Sequence, residues 1–523
     1  MRPELDRAQA RPSTTRRPLA YRVLPVVVFA AGASSLAIEI CATRLLAPYF
    51  GNSTVVWANV IGLILVYLSV GYWLGGRLAD RHPTPRVLGA VLVAAALCTA
   101  ALPFIAHPFL DLALRGFAAV SVGEVVGSFF STLLLFSVPV SLLGMASPFA
   151  LRLSITAVER AGRTSGRLSS LTTVGAIVGT FGSALLLIPA IGTQRTMLVA
   201  ALATALVSMP LLLRTAGVTV LAIVALLALP PAAVKPEAGT IAERETAYQF
   251  VQVVRDADGK IVMRTDEGVA DQSVYRPTTA LTGGEWDMPL VVPPLMGTRL
   301  RHVLVIGNAG GTTARALAAE YPGVTVDGVE LDPVVTELGR QYLGMAQIPN
   351  LHVITSDGRA YLATTSEHYD LIVVDAYRQT YIPFYLVTRE FFALVRAHLA
   401  AGGAAALNVE RVPGDDRLVR AVSGTLATVF PQTWVWPALR FNDLVVGLDR
   451  PIVPSALPPR MASLPAAVRP LVTLVTGAMH LVAASTEPMT DDHAPVEWLT
   501  DRAVLAYIAA GGRLDERLLP TAP

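Results

Sequence analysis

The chain divides sharply in hydropathy, and this division limits the folds open to it. Up to about Val234 the sequence consists mostly of long apolar runs, whereas charged and turn residues return beyond that position. Hydrophobic residues make up 53% and charged residues 15% of the 523 residues, against a usual charged share of about 25%. The sequence therefore predicts an N-terminal all-α polytopic membrane domain followed by a separate soluble domain.

The apolar part contains about seven segments of membrane-spanning length. They lie near 23–46, 55–76, 87–107, 127–150, 170–191, 195–213 and 217–234, within a membrane domain at 23–234. Arginines concentrate in the tail 1–22 and in the loops after the second and fourth segments, which predicts a multi-pass cell-membrane protein with a cytoplasmic N-terminus. Seven spans would put the C-terminal half outside the cytoplasm, and six or eight would put it inside. Its side therefore stays open.

The soluble part is predicted to contain a small β unit and then alternating strands and helices. Within a linker and β unit at 235–300, two alternating apolar runs flank Asp258-Gly259, which is a hairpin signal. Between 301 and 450, strands are predicted at 303–306, 324–329, 351–354, 371–374 and 404–409, helices at 312–320, 333–343, 387–399 and 415–430, and a closing hairpin at 433–448. This alternation predicts a Rossmann-like α/β domain with a parallel sheet covered on both faces. Residues 451–523 form a C-terminal extension.

Glycines and acids follow successive predicted strands. The stretch "VLVIGNAGGTT" (303–313) places Gly307 and Gly311 after the first strand. The next three strand ends carry Glu330, then Asp357 with Gly358, then Asp375. Glu330 lies 330 − 307 = 23 positions beyond Gly307, close to the roughly 20 expected for an acid on ribose hydroxyls. Because ligands bind outside the carboxyl ends of parallel strands, the set predicts a nucleoside site.

The glycine loop is not a dinucleotide fingerprint. It lacks the second and third glycines of G-x-G-x-x-G at the required spacing. A dinucleotide oxidoreductase is therefore disfavoured.

The stretch "TDDHAPVEW" (490–498) concentrates acids and a histidine, but it has no regular ligand spacing. We expect a capped turn before a final helix there, and no metal site.

Taken together, these residues resemble the spermidine synthase family, a branch of the class I S-adenosylmethionine-dependent transferase fold. The resemblance covers roughly 246–448. It is most specific for bacterial membrane proteins in which a transporter-like half is fused to a spermidine-synthase-like domain. The stretches that carry this resemblance are "EICATRLLAPYFG", "DAYRQTYIPFYLVTREFF" and "TDDHAPVEWL".

The resemblance implies roles for individual residues. S-adenosylmethionine or its decarboxylated form would be a co-substrate, and no cofactor would be bound permanently. The residues that match the family's nucleoside site are Gln249, Gly307, Gly311, Glu330, Asp357 and Gly358. Asp375 matches the catalytic carboxylate. Tyr377, Arg378 and Asp492 are candidates for the substrate pocket.

The sequence also departs from the family pattern. The family's glycine loop carries an acid for the ligand's amino group, and Gly310 stands in that place. A second aspartate is expected three residues after the catalytic one, and Arg378 stands there instead. A Tyr-His-Glu stretch is replaced by Trp286, Asp287 and Met288. These differences predict a nucleoside site that is partly kept and a diamine site that is largely lost.

Two functions therefore stay open. The domain is a transferase that acts on an amine acceptor, or it is a non-catalytic domain that binds a nucleoside, a polyamine or a partner and regulates the membrane half. The expected partners are the lipid bilayer and a small nucleoside, and a polyamine stays open under both readings. No nucleic acid is expected, and a homodimer stays open.

Overall fold

A computed structural model of the protein describes residues 18–50, 54–117, 123–155, 158–231, 234–235, 237–266, 271–377, 381–475 and 479–510. The chain forms two compact units. The first consists of Met1–Ala42, Val60–Ala106 and Thr132–Pro231. The second consists of Thr43–Asn59, His107–Ser131 and Ala232–Pro523.

Helices make up the apolar part of the chain. They are α1 (Leu19–Arg22), α2 (Leu24–Phe50), α3 (Thr54–Arg81), α4 (Pro85–Phe117), α5 (Gly123–Gly144), α6 (Ala146–Ser154), α7 (Ala161–Gly182), α8 (Ile188–Ser208) and α9 (Leu213–Leu227). A π-helical turn, Ser183–Leu187, joins α7 to α8. Within the described residues, five helical stretches are long and apolar enough to cross a membrane, and α9 is a shorter apolar helix.

Small residues let α7 pack closely on α2. A Cβ atom on Gly175 would lie 2.1 Å from the carbonyl oxygen of Phe29, and one on Gly179 would lie 2.0 Å from that of Ala33. Backbones can approach this closely only where a side chain is absent. Since the contacts advance by four residues on both helices, α7 runs parallel to α2.

The chain then reverses at Gly192. This residue has φ 81° and ψ 168°, so it interrupts the helical stretch Val158–Ser208. The Thr204 hydroxyl of α8 donates to the Ser34 hydroxyl oxygen at 3.0 Å. Further along α8, Val207 packs in the same cluster as Leu24, at the start of α2. Thus α8 runs antiparallel to α2, and the 51-residue stretch is a helical hairpin.

The soluble region begins with a four-stranded antiparallel sheet in the order β1-β2-β3-β4. Its strands are β1 (Thr240–Glu245), β2 (Phe250–Arg255), β3 (Ile261–Thr265) and β4 (Asp271–Tyr275). The predicted hairpin at Asp258-Gly259 joins β2 to β3. The sequence signal found only this hairpin, and the two outer strands lacked an equally clear alternation.

The main sheet has eight strands in the order β12-β10-β11-β9-β8-β5-β6-β7. They are β5 (His302–Ile306), β6 (Thr325–Glu330), β7 (Leu351–Thr355), β8 (Tyr369–Val374), β9 (Leu399–Glu410), β10 (Gln432–Pro437), β11 (Asn442–Leu448) and β12 (His480–Val482). Strands β5 to β9 are parallel, and β10, β11 and β12 add antiparallel pairings. The predicted Rossmann-like fold class and the closing hairpin are confirmed. β12 comes from the predicted C-terminal extension.

Helices cover both faces of this sheet, which has an apolar cluster on each side. They are α10 (Thr312–Glu320), α11 (Pro333–Tyr342), α12 (Gly358–Thr364), α13 (Arg389–Ala397), α14 (Arg417–Leu426), α15 (Leu457–Met461), α16 (Arg469–Val475) and α17 (Val496–Ala509). The order β7-β6-β5-β8-β9 reverses direction between β5 and β8. This reversal is the point at which doubly wound sheets bind ligands.

Two predicted helices were too long. The helix expected at 387–399 ends at Ala397, because Leu399 already pairs with Tyr369 as the first residue of β9. The helix expected at 415–430 covers only Arg417–Leu426. In the first case, strand pairing overrides a helical pattern that continued along the sequence.

Candidate active site

The glycine loop passes directly over the end of β8. Gly307 has φ +90°, and a Cβ atom there would lie 2.3 Å from the carbonyl oxygen of Asp375. The Asp375 amide in turn donates to the Ile306 carbonyl at 2.9 Å. Only glycine fits a left-handed position with so close an approach. The loop and Asp375 are therefore held together by backbone geometry.

The place of the missing acid in this loop is filled. A Cβ atom on Gly310 would lie 2.6 Å from Cδ2 of Leu343 and 2.9 Å from Cβ of Ser273. The Gly310 amide donates to the Ser273 hydroxyl oxygen at 2.7 Å. Strand β4 thus packs against the loop where an aspartate side chain would need space. Gly311 follows with φ +81° and precedes α10.

Glu330 ends β6 and is anchored by the same loop. Its carboxylate accepts from the Ala309 amide at 2.9 Å and from the Asp332 amide at 3.0 Å. Burial raises the pKa of Glu330, and these backbone hydrogen bonds act against that rise. A carboxylate has about four acceptor positions, so these two bonds leave acceptor capacity on Glu330.

Gln249 lies in a turn that is fixed next to this strand end. The Thr246 hydroxyl donates to the buried Asp332 carboxylate at 2.6 Å and accepts from the Gln249 amide at 3.0 Å. Asp332 itself caps α11 by accepting from the Val334 amide. The small sheet therefore holds Gln249 near the end of β6, although Gln249 and Glu330 are 81 positions apart in the sequence (330 − 249 = 81).

Asp357 is the N-cap of α12. One carboxylate oxygen accepts from the Arg359 and Ala360 amides, and the other accepts from the Tyr385 hydroxyl at 2.8 Å. A Cβ atom on Gly358 would lie 2.3 Å from Cγ2 of Ile306, so α12 packs tightly on β5. The capping role is structural, and it also orients the carboxylate at the carboxyl end of β7.

Asp375 is partly exposed, and its pKa is higher than that of an ordinary aspartate. Its side chain accepts a hydrogen bond from the Asn408 amide group at 2.9 Å. Burial raises the pKa of Asp375 to about 7, and the bond from Asn408 opposes the rise. A carboxyl group with this pKa is close to half-ionised at neutral pH. It can accept a proton there and later release it.

Two further acids near Asp375 were missed by the sequence reasoning. Glu410 ends β9, and burial raises its pKa to about 8. Glu285 begins the 3-10 helix Glu285–Val291; burial raises its pKa to about 8, and the negative charge of Asp375 adds to the rise. Glu410 could have been found by extending the strand-end rule to the fifth strand. Glu285 lies in a loop and had no such signal.

Tyr377 holds two of these strand ends in register. Its hydroxyl donates to the Asn408 carbonyl at 3.0 Å and accepts from the Glu410 amide at 2.8 Å. Burial raises its pKa, and the charges of Glu410, Asp375 and Glu285 raise it further. The phenol therefore lies within electrostatic reach of all three carboxyl groups.

The two remaining pocket candidates are Asp492 and Arg378. Asp492 is exposed, whereas its neighbour Asp491 forms a bidentate ion pair with Arg359 at 2.6–2.7 Å and accepts from Thr388. Arg378 lies outside the described residues. The predicted turn is present at Thr490–His493, where the His493 amide donates to the Thr490 carbonyl. Within the described ranges, no group of three or more His, Cys, Asp or Glu residues is placed to hold a metal ion.

Comparison with known proteins identifies this region. A family model described as "Spermine/spermidine synthase domain" matches residues 287–438, which include Glu330, Asp357, Asp375 and Glu410. The C-terminal part of the chain carries a spermidine synthase domain. A probable polyamine aminopropyl transferase of Bifidobacterium longum is 37% identical over 190 residues, which are 36% of this chain and 42% of that protein.

Other relatives match over similar lengths. A polyamine aminopropyltransferase of Mycobacterium tuberculosis is 34% identical over 176 residues, 31% of each chain. The solved structure of a probable spermidine synthase from Corynebacterium glutamicum is 19% identical, with a TM-score of 0.38, over 49% of this chain and 99% of that one. The chain thus spans less than half the length of these two curated relatives.

Proposed function

We propose that the spermidine synthase domain transfers an aminopropyl group from a sulfonium nucleoside to an amine. The observation that carries this proposal is Asp375, a partly buried carboxyl with a pKa of about 7 beside the glycine loop. Decarboxylated S-adenosylmethionine is the proposed co-substrate. Gln249, Gly307, Gly311, Glu330, Asp357 and Gly358 form its proposed nucleoside site.

The protein has to supply little covalent chemistry for this reaction. The acceptor nitrogen attacks the carbon next to the sulfonium, a C–N bond forms, and the C–S bond breaks with its electron pair leaving on sulfur. The new ammonium loses one proton, and Asp375 is its proposed acceptor. The sulfonium is already a good leaving group, so positioning and deprotonation of the amine are the main tasks.

One observation favours the second candidate function, a nucleoside- or polyamine-binding domain without turnover. The space beside Gly310 is occupied by Ser273 and Leu343, so no acid is held there for the ligand's amino group. Binding of the nucleoside would then depend on the ribose and adenine contacts alone.

Binding and turnover assays on the full-length protein in lipid nanodiscs separate these functions. Calorimetric titrations use decarboxylated S-adenosylmethionine, S-adenosylmethionine and methylthioadenosine, and a second assay follows labelled aminopropyl transfer to putrescine. We expect binding of the decarboxylated compound and measurable transfer. Binding without transfer would favour the second function, and absence of binding to all three nucleosides would overturn the transferase and the nucleoside-binding form of the second function.

We also propose that the helical part crosses the cell membrane seven times and that the N-terminus is cytoplasmic. The five long apolar stretches become six crossings because the chain reverses at Gly192, and α9 supplies the seventh. The end of α3 carries Arg77 and Arg81, and the start of α4 carries Arg86. The region around α6 and α7 carries Arg152, Arg160, Arg163 and Arg167. The sequence segments 51–53 and 118–122 carry no basic residue. This asymmetry supports a cytoplasmic side for the arginines.

An odd number of crossings puts residue 232 and the domain that follows on the extracytoplasmic side. The residues that form the second compact unit support the extracytoplasmic location of this domain. The unit includes the ends of α2 and α4 as well as 232–523. Within that unit, the Tyr49 hydroxyl at the end of α2 donates to the Val234 carbonyl at 3.0 Å. Arg44 also donates to the Ala247 carbonyl.

Cysteine labelling of intact cells tests this topology. In a Cys41→Ala, Cys98→Ala background, the variants Glu367→Cys and Arg163→Cys each present one exposed thiol. A membrane-impermeant maleimide should label Glu367→Cys in intact cells and Arg163→Cys only after permeabilisation. The reverse pattern would contradict the proposal, and permeabilised cells provide the control for reactivity.

A further inference from the structure

The stretch "EICATRLLAPYFG" covers the end of α2 and carries two side chains that bond to the chain beyond the helices. From Thr43 onward, this stretch belongs to the same compact unit as 232–523. Within that unit, the Tyr49 hydroxyl donates to the Val234 carbonyl at 3.0 Å, and the Arg44 guanidinium donates to the Ala247 carbonyl. The end of α2 therefore contacts the chain on both sides of β1.

Ala247 lies in the tight turn 246–249, which joins β1 to β2. The Thr246 amide closes this turn by donating to the Gln249 carbonyl at 2.9 Å. The Thr246 hydroxyl oxygen accepts from the amides of Tyr248 and Gln249, each at 3.0 Å. These bonds set the shape of the turn, whereas its position depends on bonds to other segments.

Two hydrogen bonds attach the turn to other segments. The Thr246 hydroxyl donates to the Asp332 carboxylate at 2.6 Å, which joins the first residue of the turn to the N-cap of α11. Arg44 joins the second residue, Ala247, to α2. Ala247 and Tyr248 are exposed, so side-chain packing contributes little to holding this part of the turn. A charge-assisted bond from a planar guanidinium is a strong restraint at such a position.

Gln249 is the residue whose side chain this turn orients. Its backbone groups bond within the turn. Its side-chain amide is partly exposed and forms no hydrogen bond to any residue in the described ranges of the chain. A carboxamide offers two donors and one acceptor oxygen. All of these groups are therefore left for a ligand, and their direction follows from the position of the turn.

We propose that Arg44 is a positioning residue for the nucleoside and that it acts through Gln249. By holding the Ala247 carbonyl, Arg44 fixes the turn 246–249, and the fixed turn presents the Gln249 carboxamide to the nucleoside. This inference rests on the proposed function, in which Gln249 is part of the nucleoside site. It gives the joining of a helical part to this domain a role in binding, because the nucleoside site then depends on a side chain of α2.

A double-mutant cycle on the full-length protein in nanodiscs tests this assignment. Calorimetry measures the Kd for methylthioadenosine, which has the ribose and adenine of the proposed co-substrate. Gln249→Ala and Arg44→Met should each raise this Kd about tenfold, since the loss of one good hydrogen bond has about this effect. The double variant should bind no more weakly than Gln249→Ala alone, because Arg44 acts through the Gln249 side chain. Independent effects would multiply to about a hundredfold, and that result would overturn the proposal.

Tyr49→Phe is the matched control for Arg44→Met. It removes a hydrogen bond from the same helix end, but the acceptor of that bond is the Val234 carbonyl, outside the turn. The variant should leave the Kd for methylthioadenosine unchanged, even where it lowers Tm. A rise in Kd as large as that of Arg44→Met would show that the contacts of α2 in general determine the affinity, which would contradict a specific role of Arg44.

Arg44→Lys is the conservative variant and carries the cycle if Arg44→Met does not fold. Lysine keeps the charge and can donate to the Ala247 carbonyl, but it lacks the planar guanidinium. We expect its Kd to rise only about threefold and this rise to disappear in the Gln249→Ala background. A Kd equal to that of the wild type in every folded Arg44 variant would refute the proposal.

Hydrogen exchange gives a readout of the turn itself. The amides of Tyr248 and Gln249 donate to the Thr246 hydroxyl, so they should exchange faster in Arg44→Met, while the amides of β5 and β6 keep their wild-type rates. Unchanged exchange in the turn would show that Arg44 does not fix it. Faster exchange in β5 and β6 as well would show a general loss of stability, and either result would overturn the inference.

The failure of this inference differs from the failure of the proposed function. If the wild type binds no nucleoside, the proposed function is wrong. If the wild type binds methylthioadenosine and transfers aminopropyl groups while the Arg44 variants behave as the wild type does, the transferase stands and the role of Arg44 is wrong.

Discussion

Replacing Asp375 by asparagine should remove activity and stabilise the fold at the same time. Asparagine has nearly the same shape, and its side-chain oxygen can still accept the hydrogen bond from Asn408. The proposed nucleoside contacts at Glu330 and Asp357 are untouched. The variant therefore removes one ionisable group and leaves the geometry of the site in place.

The effect on turnover follows from the loss of a proton acceptor. Positioned general bases contribute about 10²- to 10⁴-fold to rates, so kcat should fall by at least about a hundredfold. The nucleoside Kd should change little. In the wild type, a pKa of about 7 leaves about one tenth of Asp375 ionised at pH 6 and about nine tenths at pH 8. The wild-type kcat should therefore rise about tenfold over this interval, and Asp375→Asn should lack this component.

The effect on stability has the opposite sign. The pKa of Asp375 is raised from 3.8 to about 7 in the folded state. The folded protein therefore holds this proton more tightly than the unfolded chain, and wild-type stability falls as pH rises from about 4 to about 7. The difference of about 3 pKa units corresponds to at most about 4 kcal/mol. Asparagine is never charged and avoids this loss, so the variant's gain in stability over the wild type should grow from about pH 4 to about pH 7 and stay constant above that.

Two measurements on the same samples test the reasoning. Aminopropyl transfer under saturating substrates gives kcat from pH 6 to pH 8.5, and thermal unfolding in nanodiscs gives Tm at pH 5 and pH 8. The matched control is Asp416→Asn, an exposed aspartate outside the site. A variant that loses activity but unfolds at a lower Tm at pH 8 would show that burial is not the source of the raised pKa. Unchanged kcat would show that Asp375 is not the proton acceptor.

Three further substitutions test how the site is built. Gly310→Asp should lower Tm and fail to improve nucleoside binding, because its Cβ atom would contact Ser273; a variant with normal Tm and tighter binding would contradict this. Gly307→Ala should abolish nucleoside binding or prevent folding, since a side chain at φ +90° meets the adjacent backbone, and normal binding by titration would count against that geometry. Thr246→Val removes a donor to buried Asp332 and should cost about 1–3 kcal/mol of unfolding free energy, with weaker nucleoside binding, both measurable in one denaturation and titration series.

The parallel part of the sheet was predictable because buried strands leave an unmistakable pattern. β5 and β8 contain continuous apolar runs, and the strand-end rule then selected Glu330, Asp357 and Asp375 without any structure. Local sequence was sufficient here, since each acid directly follows the strand that positions it. The same rule applied to the fifth strand would have added Glu410.

Other parts of the site depend on contacts between distant segments. From the sequence alone, Gly310 suggests that the loop has free space at this position. In the structure, Ser273 from the small sheet occupies that space. Glu285 precedes Asp375 by 90 residues (375 − 285 = 90) and lies in a loop. The hydrophobic periodicity of the sequence cannot predict that two such distant residues lie close together. Their proximity depends on how the small sheet and the 3-10 helix pack on the main sheet. The predicted helix end at residue 399 was wrong for a related reason, because the pairing of Leu399 with β8 makes that residue part of β9.

The proposed topology and the acidity of Asp375 constrain each other. On the extracytoplasmic side the domain meets the pH of the surroundings, which the cell does not buffer. With a pKa of about 7, Asp375 would be mostly protonated in a medium near pH 6 and mostly ionised near pH 8. Turnover by whole cells should then follow external pH, with a midpoint near 7. A cytoplasmic domain would show no such dependence, because internal pH changes little. Comparing transfer in intact cells with transfer in permeabilised cells across external pH 6 to 8 therefore tests both ideas together. Parallel profiles would support the extracytoplasmic side, whereas a flat profile in intact cells and a titrating one after permeabilisation would refute it.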